Sequence, residues 1–200
     1  MDEITLVSVI VLGVALLLPV LSEWLAENDR MLRWVKYFIF IAYILANLNE
    51  TLLFRTTTPE ARAKLTLFWS YREAFGIQAN GGFPIRITDG ELLKEIILNV
   101  LLYIPLGYLL PFTWPSLAMH AGRPHCVRQR LSWLWRFSWE TVCIGFLCSA
   151  ATELIQLMFH VGFFEFDDIW NNTAGCIIGA MLYSGLLRRH IERRAGQIRK

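Results

Sequence analysis

The chain has 200 residues, of which 55% are hydrophobic and only 18% are charged. A soluble globular domain is nearer a quarter charged, so the composition excludes an ordinary water-soluble domain, and eight Trp with thirteen Phe exclude a disordered chain. The formal net charge of +2 is too small for a nucleic-acid-binding surface. Four Cys do not make a disulfide framework in a chain of this length. The composition therefore indicates an integral membrane protein.

Five apolar segments predict five transmembrane helices, because a helix needs about 20 mostly apolar residues to cross a bilayer. The segments are residues 4–21, 34–54, 92–112, 139–159 and 169–187. The first segment begins with Asp2 and Glu3 and is followed by no small-residue cleavage site, so we expect a retained helix rather than a signal peptide. The predicted fold is an all-α polytopic membrane helix bundle.

The segments divide the chain into three parts. Residues 1–33 contain the first transmembrane helix and a short cytoplasmic loop, and residues 34–187 form a membrane domain of four helices with a long outer loop at 55–91. In that loop, residues 78–84 (QANGGFP) predict a turn or hinge. Residues 188–200 form a basic cytoplasmic tail that contacts anionic headgroups rather than nucleic acid.

The distribution of Lys and Arg predicts the orientation. Cytoplasmic loops are enriched in these residues, and an outside amino terminus places most of the 19 Lys and Arg in the cytoplasm. We therefore expect an N-out, C-in orientation.

With this topology, nearly every polar residue inside the membrane lies in the outer leaflet. Glu153 and Gln156 share one helical face at spacing i,i+3, and Asp168 and Asn172 share another at i,i+4. A carboxylate inside a membrane helix needs a partner, a cavity or a proton, and Arg55, the first cation beyond the second helix, is the candidate partner of Glu153. The predicted ligand-binding residues of this pocket are Arg55, Asn99, Glu153, Gln156, Asp168 and Asn172.

The fifth predicted helix also carries a glycine pair below the pocket. Gly175 and Gly179 form a GxxxG pattern on the stripe of Asp168 and Asn172, and this pattern lets a neighbouring helix approach closely.

Four short motifs in the right order resemble the VanZ-like family. They are residues 99–107 (NVLLYIPLG), 153–156 (ELIQ), 168–175 (DIWNNTAG) followed by Gly179, and an earlier block with 53–55 (LFR) and 64–68 (KLTLF). The resemblance covers about residues 50–187. Leu67 stands where the family often has Pro, and Glu165 stands where Asp is usual. The positions that match the family pattern are Arg55, Asn99, Pro105, Gly107, Glu153, Gln156, Asp168, Asn172, Gly175 and Gly179.

The resemblance implies a multipass protein of the bacterial inner (cytoplasmic) membrane that is related to the cell envelope. The family is named after a protein associated with resistance to teicoplanin, a lipid-bearing glycopeptide that acts on cell-wall precursors. We assign Pro105, Gly107, Gly175 and Gly179 to helix packing.

Three functions fit the residues. The first is a binding protein for membrane lipids, a lipid-linked wall precursor or a lipoglycopeptide, in which Arg55 supplies forked donors to an anionic headgroup. The second is a membrane-embedded enzyme that modifies such a headgroup, with Glu153 as general base and Asp168 orienting it or holding a divalent cation. The third is a structural protein whose polar residues only fix helix packing. A transporter is disfavoured because inverted repeats are not apparent.

The sequence contains no motif of a known catalyst that would decide the enzyme hypothesis. The sequence has no H-E-x-x-H motif and no Cys or Ser nucleophile beside a base. Glu153, Asp167 and Asp168 could hold Mg²⁺ through oxygen ligands, but they have no fixed spacing. We therefore predict no cofactor and no metal site, and we make no prediction of the oligomeric state.

Overall fold

The computed structural model describes residues 29–53, 62–77, 87–114 and 139–198, and also the single positions 13 and 57. The predicted first transmembrane helix (except Gly13), Arg55 and the predicted turn at 78–84 lie outside the described residues. Within the described ranges the chain forms α-helices, one π-helical turn and one pair of short strands. The all-α class is confirmed apart from that pair.

The elements follow one another in this order. Helix α1 is Asp29–Leu48 and continues as a π-helical turn at Asn49–Leu53; strand β1 is Arg62–Lys64; helix α2 is Trp69–Ala74; helix α3 is Gly90–Thr113; helix α4 is Trp139–Phe159; strand β2 is Phe163–Glu165; and helix α5 is Phe166–Ile198.

Helix α3 starts where its sequence provides a cap. The carboxylate of Asp89 accepts hydrogen bonds from the backbone N–H groups of Glu91 and Leu92, at 3.0 Å each, and thereby satisfies two donors that have no partner within the helix. Pro105 lies inside the same helix and is buried. The Tyr43 hydroxyl of α1 donates to the carbonyl of Leu102, 2.9 Å away, in the turn where a proline weakens the helical hydrogen bonds.

Two of the described helices, α3 and α4, are long and apolar enough to cross a membrane. Helix α4 has the predicted bounds, and α3 extends the predicted segment slightly at both ends. Helix α5 differs, because it continues to Ile198 and so includes most of the predicted tail. Its last part is rich in Arg, Glu, Gln and Ala, which favour helix formation but, as a mainly polar set, do not favour insertion into a membrane.

Helices α3 and α5 touch through their backbones. A Cβ atom added to Gly175 would lie 2.1 Å from the carbonyl oxygen of Val100, and one added to Gly179 would lie 2.0 Å from that of Ile104. On the opposite side of the contact, a Cβ on Gly107 would lie 1.9 Å from the carbonyl oxygen of Cys176. Only glycine fits at these positions, so the three glycines set the distance between the two helices.

A small parallel ladder attaches the long loop to the connection between α4 and α5. Strands β1 and β2 pair with Ala63 opposite Phe164 and Lys64 opposite Glu165. An isolated bridge between Thr57 and Val161 adds to this attachment. The segment that contains β1 and α2, residues 62–77, therefore lies against the start of α5; we call it the outer segment, after the predicted outer loop to which it belongs.

Candidate functional site

Polar side chains from three helices meet at one end of the bundle. Asn99, in the third turn of α3, donates from Nδ2 to Oδ1 of Asp168, in the first turn of α5, at 2.7 Å. Asn172, one turn further along α5, donates from Nδ2 to the hydroxyl oxygen of Ser149 on α4 at 2.9 Å. Through these two bonds, Asn99 of α3 and Ser149 of α4 contact residues on the same face of α5.

The facing stripe of α4 carries three polar residues at successive turns. Ser149 contacts Asn172, as above, and Glu153 accepts a hydrogen bond at Oε2 from the backbone N–H of Glu165, 2.9 Å away. Gln156 donates from Nε2 to the carbonyl oxygen of Thr51, in the π-helical turn, at 2.8 Å. We call the six buried or partly buried residues of these two stripes and α3 the polar layer: Asn99, Ser149, Glu153, Gln156, Asp168 and Asn172.

Two amide oxygens of the polar layer have no hydrogen-bond partner among the described residues. They are Oε1 of Gln156 and Oδ1 of Asn172, whose residues are only 1% and 4% exposed. A buried polar atom without a partner costs about 1–3 kcal/mol. The assignment at Gln156 is firm, because the Thr51 carbonyl can only accept and so must face the amide nitrogen.

A second carboxylate, Asp167, ties the outer segment to α5. It is fully buried and accepts from the backbone N–H groups of Phe68 at 2.6 Å and of Ser70 at 3.0 Å, and from the Ser70 hydroxyl at 2.6 Å. Phe68 has a φ of 56°, in the left-handed region that a bulky residue rarely adopts. Leu67, which differs from the family pattern, immediately precedes this position. The contact with Asp167 holds Phe68 in that conformation.

Two further contacts complete the attachment of the outer segment. The Tyr71 hydroxyl donates to Oδ1 of Asn171. Burial, and then the nearby carboxylates of Asp167 and Asp168, raise the pKa of the Tyr71 phenol above its usual value. Lys64 lies 3.8 Å from Glu165 and 3.4 Å above the ring of Trp69, so a cation is also held at this end of the bundle.

The structure thus brings five of the six predicted ligand-binding residues into the polar layer and does not describe the sixth, Arg55. The roles of Asp167 and Asn171 were not predicted. They repeat the i,i+4 spacing of Asp168 and Asn172 one position earlier, which was the available signal that a second polar stripe starts α5. Among the described residues, no group of three His, Cys, Asp or Glu side chains could hold a metal ion.

Comparison with known proteins places the chain in a family. The family model described as VanZ/LLP1 matches residues 33–188, a range that includes the whole polar layer and the outer segment. No curated protein and no solved structure matches the sequence. Since the match covers most of the chain, this membrane protein belongs to the VanZ/LLP1 family.

Proposed function

We propose that this protein binds a lipid-linked or anionic headgroup in a polar pocket within the outer leaflet of the bacterial inner membrane. The observation that supports the proposal is the polar layer, which buries two carboxylates and two unpaired amide oxygens at one end of the bundle. Each buried carboxylate costs a few kcal/mol in a membrane helix. Polar residues needed only for packing would have no reason to gather at one depth or to leave acceptors without partners.

Five transmembrane helices with an N-out, C-in orientation are part of this proposal. The length and apolar character of α3 and α4 support two of the crossings. Impermeant maleimide labelling tests the orientation in a variant whose four native Cys are replaced. We expect His160→Cys, just after α4, to be labelled from outside, and Trp114→Cys, just after α3, to be labelled only after permeabilisation. The reverse pattern would contradict the outer-leaflet location.

Mass spectrometry of lipids that co-purify in a mild detergent tests the binding itself. Wild-type protein would be compared with Glu153→Gln and Asp168→Asn, and with Glu91→Gln as a control that neutralises a carboxylate whose side chain is 90% exposed. We expect one lipid class to be retained by the wild type and the control and lost from the two buried variants. A profile equal to the bulk membrane in all four proteins would reject the proposal and favour the structural hypothesis.

The enzyme hypothesis predicts a different outcome for the same variant. If Glu153 is a general base, Glu153→Gln abolishes turnover of the retained lipid but leaves its retention unchanged, because a glutamine can still accept from the Glu165 N–H. If Glu153 only binds, retention falls and no product is formed by the wild type. Buried Glu153, next to a backbone donor, is compatible with either role.

The most specific part of the proposal is a link to glycopeptides, which rests on family membership alone. We expect expression in a susceptible host to lower susceptibility to teicoplanin, and Glu153→Gln to remove this effect at equal protein level. Unchanged susceptibility on expression of the wild type would separate this member from the resistance phenotype.

A further inference from the structure

We infer that the polar layer receives the hydrogen-bond-donating part of a headgroup, an ammonium N–H or a hydroxyl O–H, rather than its phosphate. This inference rests on the proposed lipid binding and names the chemical class that the site selects. It depends on which polar atoms of the layer are already used and which are not.

Each amide nitrogen of the polar layer already donates one hydrogen bond within the protein. Asn99 donates to Asp168, Asn172 donates to Ser149, and Gln156 donates to the Thr51 carbonyl. The atoms without partners are the two amide oxygens, Oε1 of Gln156 and Oδ1 of Asn172, and both only accept. A further unpaired amide nitrogen, on Asn171, lies on the neighbouring stripe of α5, where Tyr71 contacts its side-chain oxygen.

The chemistry of the two unpaired oxygens selects the same kind of group. A phosphate brings only oxygen acceptors, so it would leave Oε1 of Gln156 and Oδ1 of Asn172 without a donor. An ammonium or a hydroxyl group brings the hydrogen atoms that Gln156 and Asn172 lack.

The size of the group is limited as well. Gln156 and Asn172 are almost fully covered in the structure, and the outer segment lies against the start of α5 through Asp167 and Asn171. We therefore expect a small terminal group to reach the layer when the outer segment shifts, while the phosphate and the acyl chains stay outside it.

Two matched lipid pairs in nanodiscs test the inference. Phosphatidylethanolamine and phosphatidylcholine are both zwitterionic, but only the first has N–H donors; phosphatidylglycerol and phosphatidylmethanol both carry one negative charge, but only the first has hydroxyl groups. Native mass spectrometry would measure which lipid stays bound to the intact protein from equimolar mixtures. We expect the donor lipid to be enriched about three- to tenfold in at least one pair, the effect of roughly one hydrogen bond.

Variants of Asn172 supply the control for folding. Asn172→Leu removes the acceptor and should abolish the enrichment, whereas Asn172→Asp keeps an acceptor that the Ser149 hydroxyl can contact and should retain it. Gln156→Met should act like Asn172→Leu. Lipid that is retained without preference in both pairs would overturn the inference and leave the proposed function intact. Retention of no lipid above the bulk level would reject the proposed function, and this inference with it.

Discussion

Asn99 and Asp168 are joined by a 2.7 Å hydrogen bond although 69 positions separate them in the chain. The bond connects the third turn of α3 to the first turn of α5, and its acceptor is a carboxylate that the bundle buries. Hydrogen bonds to buried charged groups are stronger than those between neutral groups. This contact therefore holds two ends of the polar layer together, and it can be measured separately from ligand binding.

A double-mutant cycle of Asn99→Ala and Asp168→Ala should show a coupling free energy of about 1.5–3 kcal/mol in thermal or chemical unfolding in detergent. The reason is that either single change leaves the other polar group buried without this partner. The matched control is the Glu91–Lys94 pair, which lies at i,i+3 on the exposed face of α3 and should show about 0.2–0.5 kcal/mol. Equal couplings in the two cycles would contradict the assignment.

Substitution of the packing glycines should destabilise the bundle. In Gly179→Ala the new methyl group would overlap the Ile104 carbonyl, so the helices must separate, at a cost of about 2–3 kcal/mol or more. Gly90→Ala is the control, because nothing lies within 4 Å of its added Cβ. Unfolding curves of the two variants should differ clearly; a Gly179→Ala protein as stable as Gly90→Ala would disprove close contact of α3 and α5.

Removal of the Asp167 carboxylate should release the outer segment while the helices stay folded. In Asp167→Ala the backbone N–H groups of Phe68 and Ser70 lose their acceptor, and the left-handed conformation of Phe68 loses the contact that holds it. We expect amide hydrogen exchange in residues 62–77 to accelerate by about tenfold or more. Ser70→Ala removes only the hydroxyl contact and should have a smaller effect; unchanged exchange in Asp167→Ala would show that another contact holds the segment.

The raised pKa of Tyr71 predicts a loss of stability at high pH. Its phenol has a higher pKa in the folded protein than its usual value of 10, so folding favours the protonated form. This contribution is complete below pH 10 and is lost as the pH rises through the folded pKa. Because five other tyrosines are present in both proteins, spectrophotometric titration of tyrosinate and unfolding at alkaline pH should show a larger loss of stability in the wild type than in Tyr71→Phe. Identical pH profiles would contradict it.

Long apolar runs predicted the large elements well, because a helix that could cross a membrane carries many apolar residues in a row. The bounds of α4 and the approximate bounds of α3 follow directly from where charged and turn residues interrupt the apolar runs. The end of α5 was placed too early, since loss of apolar character marks where a membrane crossing ends and not where a helix ends. The charged residues after Leu187 continue the helix by their own propensity.

The polar layer was predictable only in part, for a different reason. Spacing along a helix predicted that Glu153 and Gln156 share one face, and that Asp168 and Asn172 share another. No spacing rule predicts that Gln156 contacts a backbone carbonyl of the π-helical turn. The pairing of β1 with β2 was also hidden, because three-residue strands carry too little pattern to recognise. The sequence shows a carboxylate at Asp167, but two of the three hydrogen bonds to it come from backbone N–H groups. Because nearly every residue has such a group, the sequence does not indicate which ones Asp167 contacts.

The parallel pairing of β1 with β2 constrains the path of the chain through the bilayer. Strand β1 precedes α3 and strand β2 follows α4, and paired strands must lie on the same side of the membrane. The chain between Lys64 and Phe163 therefore crosses the membrane an even number of times, which two crossings by α3 and α4 satisfy. This parity does not depend on the count of Lys and Arg in the loops: if the orientation of the protein were reversed, the outer segment and the start of α5 would change sides together.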